Sequence, residues 1–349
     1  MDPRGFPTTL PEFQRVFPTD QACATYLEKL RWPDQFVCAK CKQMGEPYRF
    51  AARPQVLRCR ACRADTSLTR GTVMDHTHTP LSVWFWAAYL QTTQTPGESA
   101  TQFQRQLGLT RYETAYQIMH KLRAGMVRPN RDEIGGEHAV ELDETLVGGK
   151  TKGEGAGVHH KVYVIGAVEC RQRKAGEAIA DGAELRETRP KHRRATYAGR
   201  VRLLVASDRQ ASTCEDFARS NLVRGTVIKT DGWQGYNALG SMGYAHAPVV
   251  LRGDSDLADA HLPLIHLVFS LIKTWLAGTH HGVSIKHLQA YCNEYTFRFN
   301  RRFYPMTSFN SLLGLGAKTI PPTYEGLYSG GWHHPAAQRQ SPQLEMPFQ

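Results

Sequence analysis

Two Cys-x-x-Cys pairs, Cys38/Cys41 and Cys59/Cys62, stand seventeen residues apart near the start of this 349-residue chain. Each pair can wrap a tight knuckle around one ion. Between them, Tyr48-Arg49-Phe50 and Val56-Leu57-Arg58 read as a short hairpin that brings the knuckles together. The spacing predicts a four-cysteine zinc ribbon, in which tetrahedral thiolate coordination supplies on the order of 10 kcal/mol to a module too small for its own core. Cys23, Cys170, Cys214 and Cys292 are isolated and read as buried small apolar residues. Met1-Asp2-Pro3-Arg4-Gly5 lacks a basic region followed by an apolar core. The expectation is therefore a reducing, cytoplasmic setting, where spaced cysteines bind metal instead of pairing as disulfides. The longest apolar run, Val83 to Leu90, is far short of the roughly 20 residues of a spanning helix, so no membrane partner is expected.

Charge points to the partner. There are 43 Lys and Arg against 32 Asp and Glu, a net of +11, and a balance of that sign favours a polyanion, nucleic acid above all. Lys40, Lys42, Arg49, Arg53, Arg58, Arg60, Arg63 and Arg70 place cations on the ribbon. A second concentration lies between Arg171 and Arg202, with ten Arg/Lys against four acids, including Lys191-His192-Arg193-Arg194. It reads as a DNA-contacting insertion at 171–202.

After the ribbon, Pro80 opens a strongly apolar helix running through Trp84, Phe85 and Leu90. Residues 99–123 then carry two short amphipathic helices hinged at Gly108, with Ser99 and Thr110 as N-caps and Phe103, Leu107, Ala115, Ile118, Met119 and Leu122 inward. This spacing fits a helix-turn-helix presenting Arg111, Tyr112, Thr114 and Gln117 to a groove, and equally a plain helical hairpin. Beyond Arg128-Pro129-Asn130-Arg131 the pattern becomes strand-like. Strands are expected at 138–147, 160–169, 201–206, 226–230 and 247–251, with helices at 213–222, 261–276 and 284–298. Gly149-Lys150-Thr151 resembles the end of a phosphate-binding loop, but Glu144 occupies the position of its first glycine, so that motif fails.

Asp143 lies within the first of these strands, and Asp231 follows the fourth, before Gly232. Two carboxylates from neighbouring strands can hold Mg2+ for phosphoryl transfer, or they can cap turns and pair with arginine. Glu144 is expected on the opposite face of its strand and is not taken as a ligand.

In combination, these blocks resemble a DDE-type insertion-sequence transposase with an N-terminal zinc ribbon, of the ISXO-like group. The residues carrying the resemblance are the ribbon cysteines, Val140-Glu141-Leu142-Asp143-Glu144-Thr145 with Gly148-Gly149-Lys150, Lys229-Thr230-Asp231-Gly232-Trp233-Gln234-Gly235-Tyr236, His266 through Leu276 with Gly278-Thr279-His280, and Phe297-Arg298-Phe299-Asn300-Arg301-Arg302. They extend over about residues 10–310. The resemblance implies Asp143 and Asp231 as ligands of two Mg2+ or Mn2+ ions and Lys273 as a phosphate contact. In that family's pattern, Glu or Asn stands seven residues before the lysine, but His266 occupies that position here. Residues seven apart on a helix lie about 10.5 Å along one face, so His266 and Lys273 can point at one site. Three readings are open: His266 is a variant ligand, which is favoured; the acid comes from Glu294 or Asp259; or the enzyme is impaired.

The expected fold is α/β, a ribonuclease H-like catalytic domain preceded by the zinc ribbon and a helix-turn-helix segment. The expected domains are 1–75 (helix and ribbon), 76–135 (helical), 136–310 (catalytic, with the basic insertion) and 311–349 (a poorly ordered tail). The resemblance implies a transposase that cuts and joins double-stranded DNA as a homo-oligomer, in a prokaryotic, nucleoid-associated setting. The rival expectations are a DNA-binding regulator with an inactive nuclease-like domain, and a nuclease without strand transfer.

Overall fold

The computed structural model describes residue 7 and residues 9–128, 131–148, 161–172, 195–249 and 260–316. These divide into two compact units.

In the first unit, α1 (Leu10–Val16) and α2 (Asp20–Arg31) precede the ribbon. Thr9 and Thr19 cap them, each hydroxyl accepting from the backbone N–H three residues on at 3.3 Å. The ribbon is an antiparallel sheet of β1 (Tyr48–Arg49), β2 (Val56–Arg58) and β3 (Asp65–Ser67), so the expected hairpin gains a third strand. Arg31 ties α2 to this sheet by donating to the Ser67 carbonyl at 3.1 Å. Helices α3 (Leu81–Thr93), α4 (Ala100–Gln106) and α5 (Tyr112–Gly125) follow. Pro80 leaves the start of α3 without a capping side chain, and Asp20 supplies one, accepting from Leu81 N at 3.2 Å and Ser82 N at 2.9 Å. Ser99 caps α4 as expected. Thr110 does not cap α5, which starts one residue later behind Arg111 with no capping side chain. The chain turns between α4 and α5 at Gly108, whose φ of +61° suits glycine.

The last described helix, Pro305–Gly316, belongs to this first unit although it follows the second in sequence. Its Phe309 is fully buried, 5.3 Å from the Phe13 ring and 5.8 Å from Phe17, and Tyr26 donates to Asn310. Sequence alone placed 305–310 in the catalytic domain and 311–316 in the tail. The aromatic cluster instead recruits this segment to cover α1 and α3.

The second unit is built on a five-stranded sheet with the spatial order β6-β5-β4-β7-β8. The strands are β4 (Ala139–Val147), β5 (Val162–Gln172), β6 (Thr196–Ala206), β7 (Val227–Asp231) and β8 (Ala245–Val249). β4, β5 and β6 pair antiparallel, while β4, β7 and β8 run parallel. α6 (Ala211–Asn221) and the 3-10 helix Gln234–Leu239 cover one face, where Val140, Leu142, Ile228, Phe217 and Tyr236 form a core. α7 (Pro263–His280) and α8 (Ile285–Phe299) cover the other, packing Ile265, Phe269 and Ile272 on Val164, Val168 and Leu203.

The proposed basic insertion begins and ends inside the sheet. Arg171 is in β5 and Arg200 and Arg202 are in β6, because both strands extend beyond their β-branched runs. Arg171 and Arg200 pair with the fully buried Glu169 at 2.8 and 2.7 Å. The rest of that insertion, with Lys191-His192-Arg193-Arg194, lies outside the described residues, as do Gly149–Thr151 and the tail beyond 316.

Burial alone would raise the Glu169 carboxyl. Hydrogen bonds and charge from Arg200, with the N–H of Gly135, overcome this and hold it at about 2. A carboxyl depressed from its ordinary 4.5 stabilises the fold fully above that value, and the contribution is lost as pH falls toward about 2. Glu169→Gln is expected to flatten the acid limb of stability against pH, read by urea unfolding across that window. Phe309→Ala is expected to cost the first unit about 3–5 kcal/mol, read by the same unfolding at neutral pH.

Candidate metal centres and acidic site

The ribbon sulfurs converge. Cys38 Sγ lies 3.6 Å from Cys62 Sγ and Cys41 Sγ lies 3.7 Å from Cys59 Sγ, with all four within 4.8 Å of one another. A tetrahedral ion with Zn–S bonds of about 2.3 Å sets its sulfurs about 3.8 Å apart, so the residues present fit zinc. The backbone N–H groups of Cys41 and Lys40 lower the Cys38 thiol to about 6, and those of Cys62 and Ala61 lower Cys59. Lys42 and Arg63, one residue past each pair, adopt φ of +61° and +59° and close the knuckles. Among the isolated cysteines, Cys23, Cys214 and Cys292 are buried as expected. Cys170 is only half-buried, and its thiol donates to Glu141 at 3.5 Å.

The acidic site is laid out by the alternation of β4. Leu142 and Glu144 face α6 and the 3-10 helix, whereas Glu141, Asp143 and Thr145 face α7. Asp143 Oδ2 lies 3.2 Å from His266 Nε2, and Lys273 Nζ donates to Thr145 Oγ1 at 2.6 Å. Thus the seven-residue interval along α7 lies against successive outward residues of one strand. Close approach needs Gly166, the antiparallel partner of Asp143 on β5. A Cβ there would stand 2.7 Å from the Phe269 ring and 2.9 Å from Ile265.

Asp231 ends β7, in parallel register with β4. The pairing of β4 with β7 ends at Glu141 and Lys229, and Asp143 and Asp231 each follow it by two residues. Burial raises the Asp231 carboxyl. The Trp233 N–H, which donates to it at 3.1 Å, opposes this, the charge of Asp143 adds to it, and Arg209 and His266 lower it again. Asp143, His266 and Arg209 therefore all act on Asp231 electrostatically. Among the described residues, only the four cysteines bring three or more His, Cys, Asp or Glu donors close enough together to hold an ion. The Asp143/Asp231/His266 trio is joined by one hydrogen bond and by charge. Of the alternative acids, Glu294 is fully buried on α8 with Arg298 at 3.6 Å, and Asp259 lies outside the described residues. Burial lowers Lys273, as does the charge of Lys161, while Asp143 acts oppositely.

Glu144 faces away from α7, as alternation requires. It accepts from the Tyr236 hydroxyl and pairs with Arg209, and burial raises its carboxyl. Arg209 also stacks over Trp233 at 4.2 Å, and Trp233 in turn lies over Gly235, where a Cβ would meet its ring at 2.1 Å. Sequence reasoning missed Arg209 and Glu141. Arg209 sits in an aperiodic segment after β6. Glu141 lies in the block that carries the family resemblance but has no role in it, although a carboxylate at a buried strand position is itself a signal.

The residues 134–300 match the family model of the ISXO2-like transposase domain, and residues 18–65 match that of the transposase zinc-ribbon domain. The chain is also similar, at 24% identity over 306 residues, to an uncharacterized protein in transposable element ISH50 of Halobacterium salinarum; the match covers 81% of this chain and 92% of that protein. No solved structure matches. No helix among the described residues is long and apolar enough to cross a membrane.

Removing zinc with a chelator is expected to unfold the ribbon while leaving the second unit's sheet intact. Metal release with a colorimetric chelator and amide exchange of residues 36–68 check this, and protection retained after complete release would contradict it.

Proposed function

The chain belongs to the ISXO2-like transposases, and from that premise we propose that it is a metal-dependent DNA transposase that binds the ends of its element, cuts there and joins them to target DNA. The observation that carries this is that Asp143 and Asp231 each stand two residues past the last paired position of adjacent parallel strands, with His266 of α7 hydrogen bonded to Asp143. The order β6-β5-β4-β7-β8, antiparallel on one side of β4 and parallel on the other, supports a ribonuclease H-like catalytic domain.

In this reading, Asp143 and Asp231 supply hard oxygen donors, and His266 adds a nitrogen donor without charge. Asp143, Asp231 and His266 would hold divalent ions, and these would supply the positive charge that a phosphoryl-transfer transition state requires. Lys273 reaches toward a phosphate beside the scissile bond. Arg209, its face held by Trp233 and one edge by Glu144, directs its remaining N–H groups to the DNA backbone. A water attacks the phosphorus at the element end and breaks its P–O3′ bond, leaving a 5′-phosphate and a free 3′-hydroxyl. That hydroxyl then attacks a target phosphodiester and breaks its P–O3′ bond, releasing a target 3′-hydroxyl as the attacking hydroxyl's proton passes to solvent.

The ribbon contributes cations for DNA. Arg49 and Arg58 are held by Glu28 and Asp65. Lys40, Lys42, Arg60 and Arg63 pair with no carboxylate among the described residues, and Arg60 and Arg63 flank the Tyr48 ring at 4.7 and 5.1 Å. α4 and α5 act as the helix-turn-helix, with Arg111 and Tyr112 exposed at the start of the second helix. Homo-oligomerisation on DNA would bring two element ends together.

The test is Mg2+- or Mn2+-dependent cleavage and joining of a DNA end carrying the element's terminus. Asp143→Ala and Asp231→Ala are each expected to reduce both steps at least about 100-fold. His266→Ala is expected to reduce them, and His266→Glu to restore part of the loss. Joining retained in either aspartate variant contradicts the site, and unchanged activity in His266→Ala removes His266 from it. Binding without cleavage by the wild type favours the regulator, and cleavage without joining favours the simple nuclease.

A further inference from the structure

We propose that Glu141 is a positioning residue: its buried carboxylate clamps the start of α7 and so sets His266 opposite Asp143. The proposal rests on the metal-site reading above, and it begins from an accounting of donors. A helix leaves its first backbone N–H groups without partners in the helix itself. At the start of α7, Pro263 has no N–H, and His266 N donates to the Leu262 carbonyl at 3.2 Å. That leaves Leu264 and Ile265. Leu262, at the capping position, offers no side-chain acceptor. Both N–H groups donate instead to one oxygen, Glu141 Oε2, at 2.7 and 2.9 Å, across 123 and 124 residues of sequence. The other oxygen accepts from Cys170 Sγ at 3.5 Å, and Glu141 is 2% exposed.

The clamp and the site share both of their supports. Glu141 and Asp143 are two residues apart on β4, a separation of about 7 Å along a strand. Leu264 and Ile265 directly precede His266. Any axial slide or rotation of α7 that carried His266 away from Asp143 would also break the two bonds to Glu141. Gly166 provides the close approach to Phe269 and Ile265 but makes no directed bond that selects the axial position. Two directed hydrogen bonds to a buried carboxylate do select it.

The donors at 264 and 265 need an acceptor and not a charge. Glu141→Gln can present its amide oxygen where Oε2 stands and its amide nitrogen toward the Cys170 sulfur, a weak acceptor. Glu141→Ala removes the clamp. Glu141→Asp keeps the charge but falls one methylene short. Mn2+ affinity of the zinc-loaded full chain, counted as the component lost in Asp143→Ala, separates these cases. The Gln variant is expected within about threefold of wild type, and Ala and Asp at least about tenfold weaker, as for residues that orient ligands. In a His266→Ala background, Glu141→Ala is expected to cost little more, because the two act through one contact. Amide exchange at Leu264 and Ile265 should show protection in wild type and Gln and its loss in Ala.

A Gln variant as weak as Ala, with protection retained, would overturn the proposal, since the carboxylate would then act by charge or as a ligand. Unchanged Mn2+ affinity in Glu141→Ala despite lost protection also overturns it, as do additive losses in the double variant. Should wild type show no Asp143-dependent Mn2+ binding, the metal-site reading fails by itself. Exchange then decides the clamp alone: equal protection in wild type and Ala overturns it, and loss confined to Ala supports it. If Glu141→Ala does not fold, as judged by its melting curve, the contrast between Gln and Asp decides in the same sense.

Discussion

The alternation of β4 against α7 is the constraint on which the second unit depends. A strand presents every second residue to one face, and a helix brings the same face round at seven residues. Where the two lie side by side, Glu141, Asp143 and Thr145 meet the backbone at 264–265, then His266, then Lys273. A one-residue slip of β4 would turn all three toward α6 and bring Leu142 and Glu144 to α7. The opposite face resists that slip, because Leu142 is buried in the core there and Glu144 is held by Tyr236 and Arg209. Packing on one face therefore fixes the chemistry on the other.

The two units solve the same problem at a helix start in the same way. α3 starts behind Pro80 and α7 behind Leu262, with Pro263 as its first residue, and neither capping position offers a side-chain acceptor. In each case a carboxylate from another element accepts two backbone N–H groups, Asp20 for α3 and Glu141 for α7. Such a cap links two elements as well as ending one, and a carboxylate aimed at a helix N-terminus is favoured by the helix dipole. The difference is burial. Asp20 is half-buried, whereas Glu141 is enclosed, and burial raises its carboxyl despite the two N–H donors. An enclosed carboxylate with few alternatives is the more rigid clamp.

Legibility followed the range of the interactions. The ribbon could be read because a metal needs four thiols at short spacings, and the sulfurs do converge. The strands and helices of the second unit could be placed to within a few residues, since β-branched runs and helical periodicity are local. His266 and Lys273 could be set on one face by their interval alone. Partners distant in sequence could not be read. The apolar stripe of Pro305–Gly316 would suit any greasy surface, and only the Phe13/Phe17/Phe85 cluster assigns it to the first unit. Arg171, Arg200 and Arg202 looked like part of a DNA-binding loop because composition does not distinguish arginines bound to a buried Glu169, or like Arg202 to the backbone carbonyls of Val201 and Asp132, from arginines facing solvent. Thr110 failed as a cap because the helix start moved by one residue, which is within the spread of sequence-based boundaries.

The histidine at the third position changes the electrostatic balance of the acidic site. With a third carboxylate, three negative charges would stand beside Glu144 and would need cations to be tolerated. With His266, Asp143 and Asp231 carry two, and the imidazole is hydrogen bonded to one of them. The Arg209 guanidinium lowers the Asp231 carboxyl, so part of the compensation that ions would provide already comes from the chain. In the proposed metal-site reading, the consequence is a site less dependent on metal for its shape and less strongly charged toward metal. There the position of His266 matters more than its charge, since a neutral ligand gains by direction what it lacks in Coulomb attraction. A helix start clamped through two backbone donors by the strand that bears Asp143 supplies that direction.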